Sequence, residues 1–190
     1  MSSPKLKVDF SKFENRIGFS FKNKDLLTQA FIHRSYLNEN RNITLPHNER
    51  LEFLGDAVLE LVVTDYLFRK FPDKNEGDMT AYRAALVNTN TLSAISEKLG
   101  VNDFIRLAKG ESKDKGRARQ YILANTFEAI VGALYLDQGY EVAQEFVGDS
   151  LFHLTDDVVS KKLWQDAKSH FQEMAQDVEG ITPNYETLRE

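Results

Sequence analysis

Asn48-Glu49-Arg50-Leu51-Glu52-Phe53-Leu54-Gly55-Asp56-Ala57-Val58-Leu59 is the stretch on which the reading of this chain turns. On a helix its three carboxylates, Glu49, Glu52 and Asp56, fall at i, i+3 and i+7 and share one stripe. Leu51, Leu54, Val58 and Leu59 make an opposite, apolar stripe suited to face a core. Like charges at this spacing repel and weaken the helix. Spacing alone leaves two readings open. One is a solvated acidic face, which is what most carboxylate runs are. The other is a seat for a cation, and hard oxygen ligands suit Mg²⁺ or Mn²⁺.

Working outward, the pattern is helical nearly throughout. The carboxylate helix is expected to run to about Lys70 and to stop at Phe71-Pro72-Asp73, because proline cannot continue a helix. Upstream, residues 10–17 form a short amphipathic stretch ended near Gly18. Residues 23–35 read as one helix with Leu26, Leu27, Ala30 and Phe31 at helical spacing. A polar connection, 38–48, follows. Downstream, Asn75-Glu76-Gly77-Asp78 opens another helix, residues 89–99 form a fifth closed by Gly100, 121–136 is strongly apolar, and 141–154 completes the set. Few segments alternate as strands should, so the expectation is an all-α domain over residues 1–158. A linker is expected at 159–167. Residues 168–190 differ in kind: an amphipathic helix, then Gly180-Ile181-Thr182-Pro183-Asn184-Tyr185-Glu186 and an abrupt end.

Length allows one full domain and part of another, since 190 residues exceed a typical single domain. Hydrophobic content of 42% and charged content of 28% are ordinary for a globular protein. The absence of cysteine excludes disulfides, thiolate metal sites and a cysteine nucleophile, and it fits a reducing cytoplasm. No apolar run approaches a membrane span, and Met-Ser-Ser-Pro-Lys-Leu-Lys has no apolar core of the secretory kind. The net charge of −5 argues by itself against nucleic acid, but charge is unevenly placed. Over residues 106–121 six cations (Arg106, Lys109, Lys113, Lys115, Arg117, Arg119) face two acids, Glu111 and Asp114. With Gly110 and Gly116 among them, they read as a flexible basic loop, either merely solvated or reaching phosphates.

The twelve-residue string resembles the signature of the ribonuclease III family, endonucleases that cut double-stranded RNA. Further segments are similar to that family in the right order. They are Leu26 through His33-Arg34-Ser35-Tyr36, Glu76-Gly77-Asp78-Met79-Thr80 with Arg83, Gly110-Glu111 before Arg117 and Arg119, and Tyr121-Ile122-Leu123-Ala124-Asn125-Thr126-Phe127-Glu128-Ala129-Ile130-Val131-Gly132-Ala133. The last 23 residues resemble the first helix and the start of the first strand of a double-stranded-RNA-binding domain, too few to bury a core alone. A generic C-terminal helix and tail is the plainer alternative. The resemblance therefore implies an all-α ribonuclease III endonuclease domain, followed by an α+β double-stranded-RNA-binding domain truncated within it.

By position, the resemblance makes Glu52, Asp56, Asn125 and Glu128 metal ligands, with Asp56 and Glu128 catalytic. It makes Glu49 and Glu76 supporting acids and RNA contacts, and Lys109, Lys113, Lys115, Arg117 and Arg119 phosphate contacts. Asn125 departs from the family's usual aspartate, so the four ligands carry three formal negative charges instead of four. An amide oxygen still coordinates Mg²⁺, and the expectation is retained catalysis with a greater metal requirement. Phosphodiester hydrolysis develops charge on the attacking and leaving oxygens, which two divalent cations would stabilise. None of the four histidines (His33, His47, His153, His170) is required, although His33 and Arg34 could support the site.

The resemblance also implies a homodimer packed along the signature helix, each subunit cutting one strand. The products would be 3′ overhangs with 5′-phosphate and 3′-hydroxyl ends. Phe53 matches the aromatic residue that enters a partner pocket, the alternative being burial in its own subunit. The expected activity is Mg²⁺-dependent processing of ribosomal RNA precursors and other structured RNA in the cytoplasm. Two readings compete with it: a catalytically impaired RNA-binding scaffold, with Asn125 as the trace, and an unrelated helical bundle with an acidic face.

Overall fold

The computed structural model describes residues 9–113, 115–161, 164 and 167–186, without the side chains of 113, 167–170 and 173. The expected phosphate contact through Lys113, residues 162, 163, 165 and 166 of the expected linker, and the last four residues thus lie outside what is described. Among the described residues ten α-helices follow one another: α1 Ser11–Ile17, α2 Lys24–Ala30, α3 Arg34–Glu39, α4 Glu49–Lys70, α5 Glu76–Val87, α6 Thr89–Lys98, α7 Arg117–Gln138, α8 Tyr140–Leu151, α9 Thr155–Ser160 and α10 Ala167–Glu179. No strand occurs among the described residues; Ile32 and Arg106 make one isolated parallel bridge. No described helix is long and apolar enough to cross a membrane.

Two helices of 22 residues, α4 and α7, form the axis of the domain and pack along each other. Each spans about 33 Å at 1.5 Å per residue, long enough to organise the rest. Helix α7 is buried on nearly all sides through its middle, from Leu123 to Leu134, because α2, α4, α6 and α8 all pack on it. Helix α4 buries Leu51, Val58, Leu59, Val62, Val63 and Leu67 and leaves its carboxylates outward, as the two stripes require. Its end is set by Pro72, which disfavours the helical region at Phe71; that residue sits at φ −124°, ψ 66°. A second nucleus joins Phe10, Phe13, Phe31 and Phe104, whose rings lie 5.0–5.8 Å apart.

Two sequence expectations need correction. The single helix expected over 23–35 is two, α2 and α3, broken at residues 31–33. Apolar periodicity continues through the break, but the backbone there pairs over long range. Arg106 N–H donates to Phe31 O (2.8 Å), His33 N–H to Arg106 O (3.1 Å) and Asn48 N–H to Ile32 O (2.9 Å). The basic loop is also shorter than expected, because α7 begins at Arg117 and absorbs Arg117 and Arg119 into its first turn. Past α10, residues 181–186 form no strand, as a lone extended segment has no neighbour to pair with.

Candidate active site

Gly55 on α4 and Gly132 on α7 lie where the two long helices cross. A Cβ at Gly55 would sit 1.8 Å from the Glu128 carbonyl oxygen, and one at Gly132 would sit 2.2 Å from that of Leu51. Only glycine permits this backbone-to-backbone approach. The approach carries Glu52 and Asp56 on α4 up against Asn125 and Glu128 on α7. The Asn125 amide favours the charged form of the Glu52 carboxylate, and the charges of Asp56 and Glu52 both act on Glu128.

The electrostatics of this cluster are those of crowded, partly buried acids. Burial, then the charges of Asp56 and Glu52, pushes the Glu128 carboxyl up to about 8. Glu52 is raised above the usual carboxylate range by burial and by Glu49 and Asp56, with the Asn125 amide opposing. Asp56 is raised by burial and by the Glu60 charge one turn further on. These are the marks of a site that lacks positive charge of its own. Among the described residues, no three His, Asp or Glu side chains stand close enough together to hold a metal ion by themselves. Mg²⁺ ordinarily takes one or two carboxylates and keeps several waters, so an open set is the relevant arrangement. The donors present are all oxygens, three of them on carboxyls whose repulsion a cation would relieve. They fit a hard divalent ion.

The other expected site residues are placed as follows. Glu49 begins α4 beside Arg34 (3.5 Å) and His47 (3.8 Å), and its charge reaches Glu52. Glu76 does not join the cluster within this chain. It opens α5, accepts from the Thr80 hydroxyl (3.0 Å), and lines a cavity of about 180 Å³ with Thr64, Phe68, Met79 and Arg83. Lys109, Lys115 and Arg117 are exposed, Arg117 lying over the Tyr121 ring. Arg119 is turned the other way, its Nε donating to Asn102 Oδ1 at 2.8 Å. Phe53 is 82% exposed, so it is not buried in its own subunit. Leu61 (56%) and Phe68 (68%) follow it at intervals that keep all three on one side of α4.

Sequence reasoning missed the Gly55–Gly132 crossing, the influence of Glu60 on Asp56, and the contact of His33 with Glu111. The glycines did carry a signal. A glycine inside a helix costs about 1 kcal/mol against alanine, so two of them in well-formed helices point to a close backbone approach.

Comparison with known proteins identifies the family. A family model described as "Ribonuclease-III-like" matches residues 23–154. "Ribonuclease 3" of Bdellovibrio bacteriovorus is 46% identical over 178 residues, covering 93% of this chain and 76% of that protein. "Ribonuclease 3" of Geobacillus thermodenitrificans is 44% identical over 186 residues, covering 98% of this chain and 75% of that one. Among solved structures, the nuclease domain of ribonuclease III from Campylobacter jejuni superposes with a TM-score of 0.67 at 39% identity. It covers 75% of this chain and 98% of that domain, and that protein is described with a flexible region involved in dimer formation.

Proposed function

This chain belongs to the ribonuclease III family of double-stranded-RNA endoribonucleases, and from that premise we propose that it hydrolyses RNA duplexes at the Glu52–Asp56–Asn125–Glu128 cluster. The products are 5′-phosphate and 3′-hydroxyl ends, and the substrates are precursors of ribosomal RNA and other structured transcripts in the cytoplasm. The observation that carries the reading is the close crossing of α4 and α7 at Gly55 and Gly132, with the charges of Asp56 and Glu52 acting on Glu128 and its carboxyl pushed up to about 8.

In this reading Glu52, Asp56, Glu128 and the Asn125 carbonyl oxygen hold Mg²⁺, or Mn²⁺ in its place. A cation pair bound there supplies the positive charge that in-line displacement at phosphorus requires. The chain's own contribution is positioning. Helices α4 and α7 hold the donors at fixed spacing, and the Asn125 amide favours the charged form of Glu52. Water adds to phosphorus, the 3′-oxygen leaves and takes up a proton, and the 5′ side keeps the phosphate. Duplex recognition rests on shape, because the deep major groove of A-form RNA resists readout; Lys109, Lys115 and Arg117 meet phosphates instead. Residues 168–190 are read as the start of a double-stranded-RNA-binding domain, with α10 as its first helix.

Asn125 favours a second reading, an impaired RNA-binding scaffold, and one titration separates the two. Cleavage of a long perfect duplex is measured across Mg²⁺ and Mn²⁺ concentrations for the parent and Asn125→Asp. The variant restores a fourth negative charge and removes the amide donor. Its half-maximal metal concentration is expected to fall about tenfold, equivalent to ~1.4 kcal/mol. A parent silent at every metal concentration beside an active Asn125→Asp would favour the scaffold.

The chain is read as a homodimer joined along the exposed side of α4, with Phe53 as an anchor. Phe53→Ala is expected to weaken association by about 2 kcal/mol or more, as buried interface aromatics do. Because the side chain is 82% exposed, the fold of each subunit should be nearly unaffected. Sedimentation showing an unchanged dimer would sink this assignment.

A further inference from the structure

The turn at residues 31–35 carries two regions at once. On one side it mounts the root of the basic loop. Arg106 pairs with Phe31 and His33 through the backbone, Ala108 N–H donates to Ser35 Oγ (3.1 Å), and Lys109 N–H donates to Glu39 Oε2 (3.2 Å). On the other side it seats the start of α4. Asn48 donates through its backbone to Ile32 O (2.9 Å) and through its side chain to Ala30 O (3.2 Å), and Arg34 lies 3.5 Å from Glu49.

Across the loop side, His33 Nδ1 stands 3.1 Å from Glu111 Oε2 and 2.8 Å from Ser35 Oγ. Nδ1 also accepts from the Ser35 backbone N–H (3.3 Å), so it does not donate to both oxygens; Glu111 stands at ion-pair distance, and its Oε2 makes no hydrogen bond. We infer that the His33–Glu111 pair is a positioning latch: it holds the loop root so that the loop's cations face duplex phosphates at a fixed distance from the α4 carboxylates. The inference rests on reading the loop as an RNA contact.

Glu111 is the residue that points to a latch. It is an acid amid Lys109, Lys115 and Arg117, and a carboxylate repels phosphate. As an independent surface charge it would lower affinity for RNA. Turned onto His33, whose side chain is 22% exposed, it joins the loop's short turn at Glu111–Lys113 to the turn that also seats α4. Ordering the loop before RNA arrives removes an entropic cost from binding.

The sign of the effect is therefore diagnostic. KM and kcat are measured on a long RNA duplex, with the salt dependence of KM, for Glu111→Ala, Glu111→Gln, His33→Ala and the double variant. Lys115→Ala and Arg117→Ala serve as references for the loop itself. Glu111→Ala is expected to raise KM about fivefold to tenfold, through lost loop ordering, with kcat little changed. Glu111→Gln, whose amide can donate to Nδ1 or accept from it, should return KM close to the parent. His33→Ala should raise KM likewise, and the double variant should be no worse than the worse single, as coupled partners are.

A lower or unchanged KM in Glu111→Ala, while Lys115→Ala and Arg117→Ala raise it, overturns the latch and leaves the loop's RNA contact standing. If those two references also leave KM and its salt dependence unchanged, the loop is no RNA contact and the latch falls with it. Independent, additive effects of His33→Ala and Glu111→Ala overturn it as well.

Discussion

Glu128→Gln is expected to abolish cleavage, by roughly a thousandfold or more in kcat on the scale seen when a charge-stabilising group is removed, while making the metal-free protein more stable at alkaline pH. Both effects have one cause. Burial and the Asp56 and Glu52 charges lift the Glu128 carboxyl from 4.5 to about 8. The unfolded chain releases that proton near the lower value, the folded chain near the higher. Between them the folded state holds a proton that the unfolded state lacks. The group's contribution to stability is therefore complete below the unfolded value and is lost as pH rises through the folded one.

With partial solvent screening of the neighbouring charges, the stability lost across that window is on the order of 2 kcal/mol. Glutamine carries no such proton. At pH 5 the two proteins should melt alike in chelator, and at about pH 9 the variant should melt higher by roughly 4–8 °C for a domain of this size. Added Mg²⁺ should stabilise the parent more than the variant. Calorimetry at the two pH values checks the electrostatics, and duplex cleavage checks the chemistry. Equal melting differences at both pH values would refute the first, and near-parental cleavage the second.

Gly132→Ala, and independently Gly55→Ala, should each cost stability and activity together. The added methyl would lie 2.2 Å from Leu51 O in the first case and 1.8 Å from Glu128 O in the second. Both obstacles are backbone, so no rotamer change relieves them and the helices must separate. Overpacking of this kind costs about 3 kcal/mol, at the upper end of its usual range. Separation by about an ångström also moves Glu52 and Asp56 away from Asn125 and Glu128, a displacement that can cost on the order of a hundredfold in rate. Gly110→Ala is the control: nothing lies within 4 Å of its added Cβ, and about 0.5 kcal/mol or less is expected. Denaturant midpoints and cleavage rates on the three variants test the claim. A Gly132→Ala protein as stable and active as the parent would show that the crossing has slack the geometry denies.

Periodicity and punctuation made much of the fold legible. Helix α4 was readable from its two stripes and from Pro72, α5 from its polar opening and α6 from its close at Gly100. Asn75 and Asn88 indeed cap them through Asp78 N–H and Thr91 N–H. Where local pattern competed with long-range pairing, the pattern misled. Residues 31–33 carry helix-compatible side chains, yet Arg106 and Asn48, far along the chain, take up their backbone groups. Arg119 belonged to a basic cluster by composition, but folding points it at Asn102.

By itself, the sequence determined the all-helical class, the two faces of α4, and the residue types able to hold a cation, because these depend on spacing within one helix. The tertiary structure alone decided that Glu52 and Asp56 meet Asn125 and Glu128 across a pair of glycines. It also decided that Glu76 stands apart from them in this chain, and that Phe53 is left facing out. Those outcomes depend on how closely two helices approach and at what register. Their distances are set by atoms remote in the chain, and no periodicity within either helix encodes them.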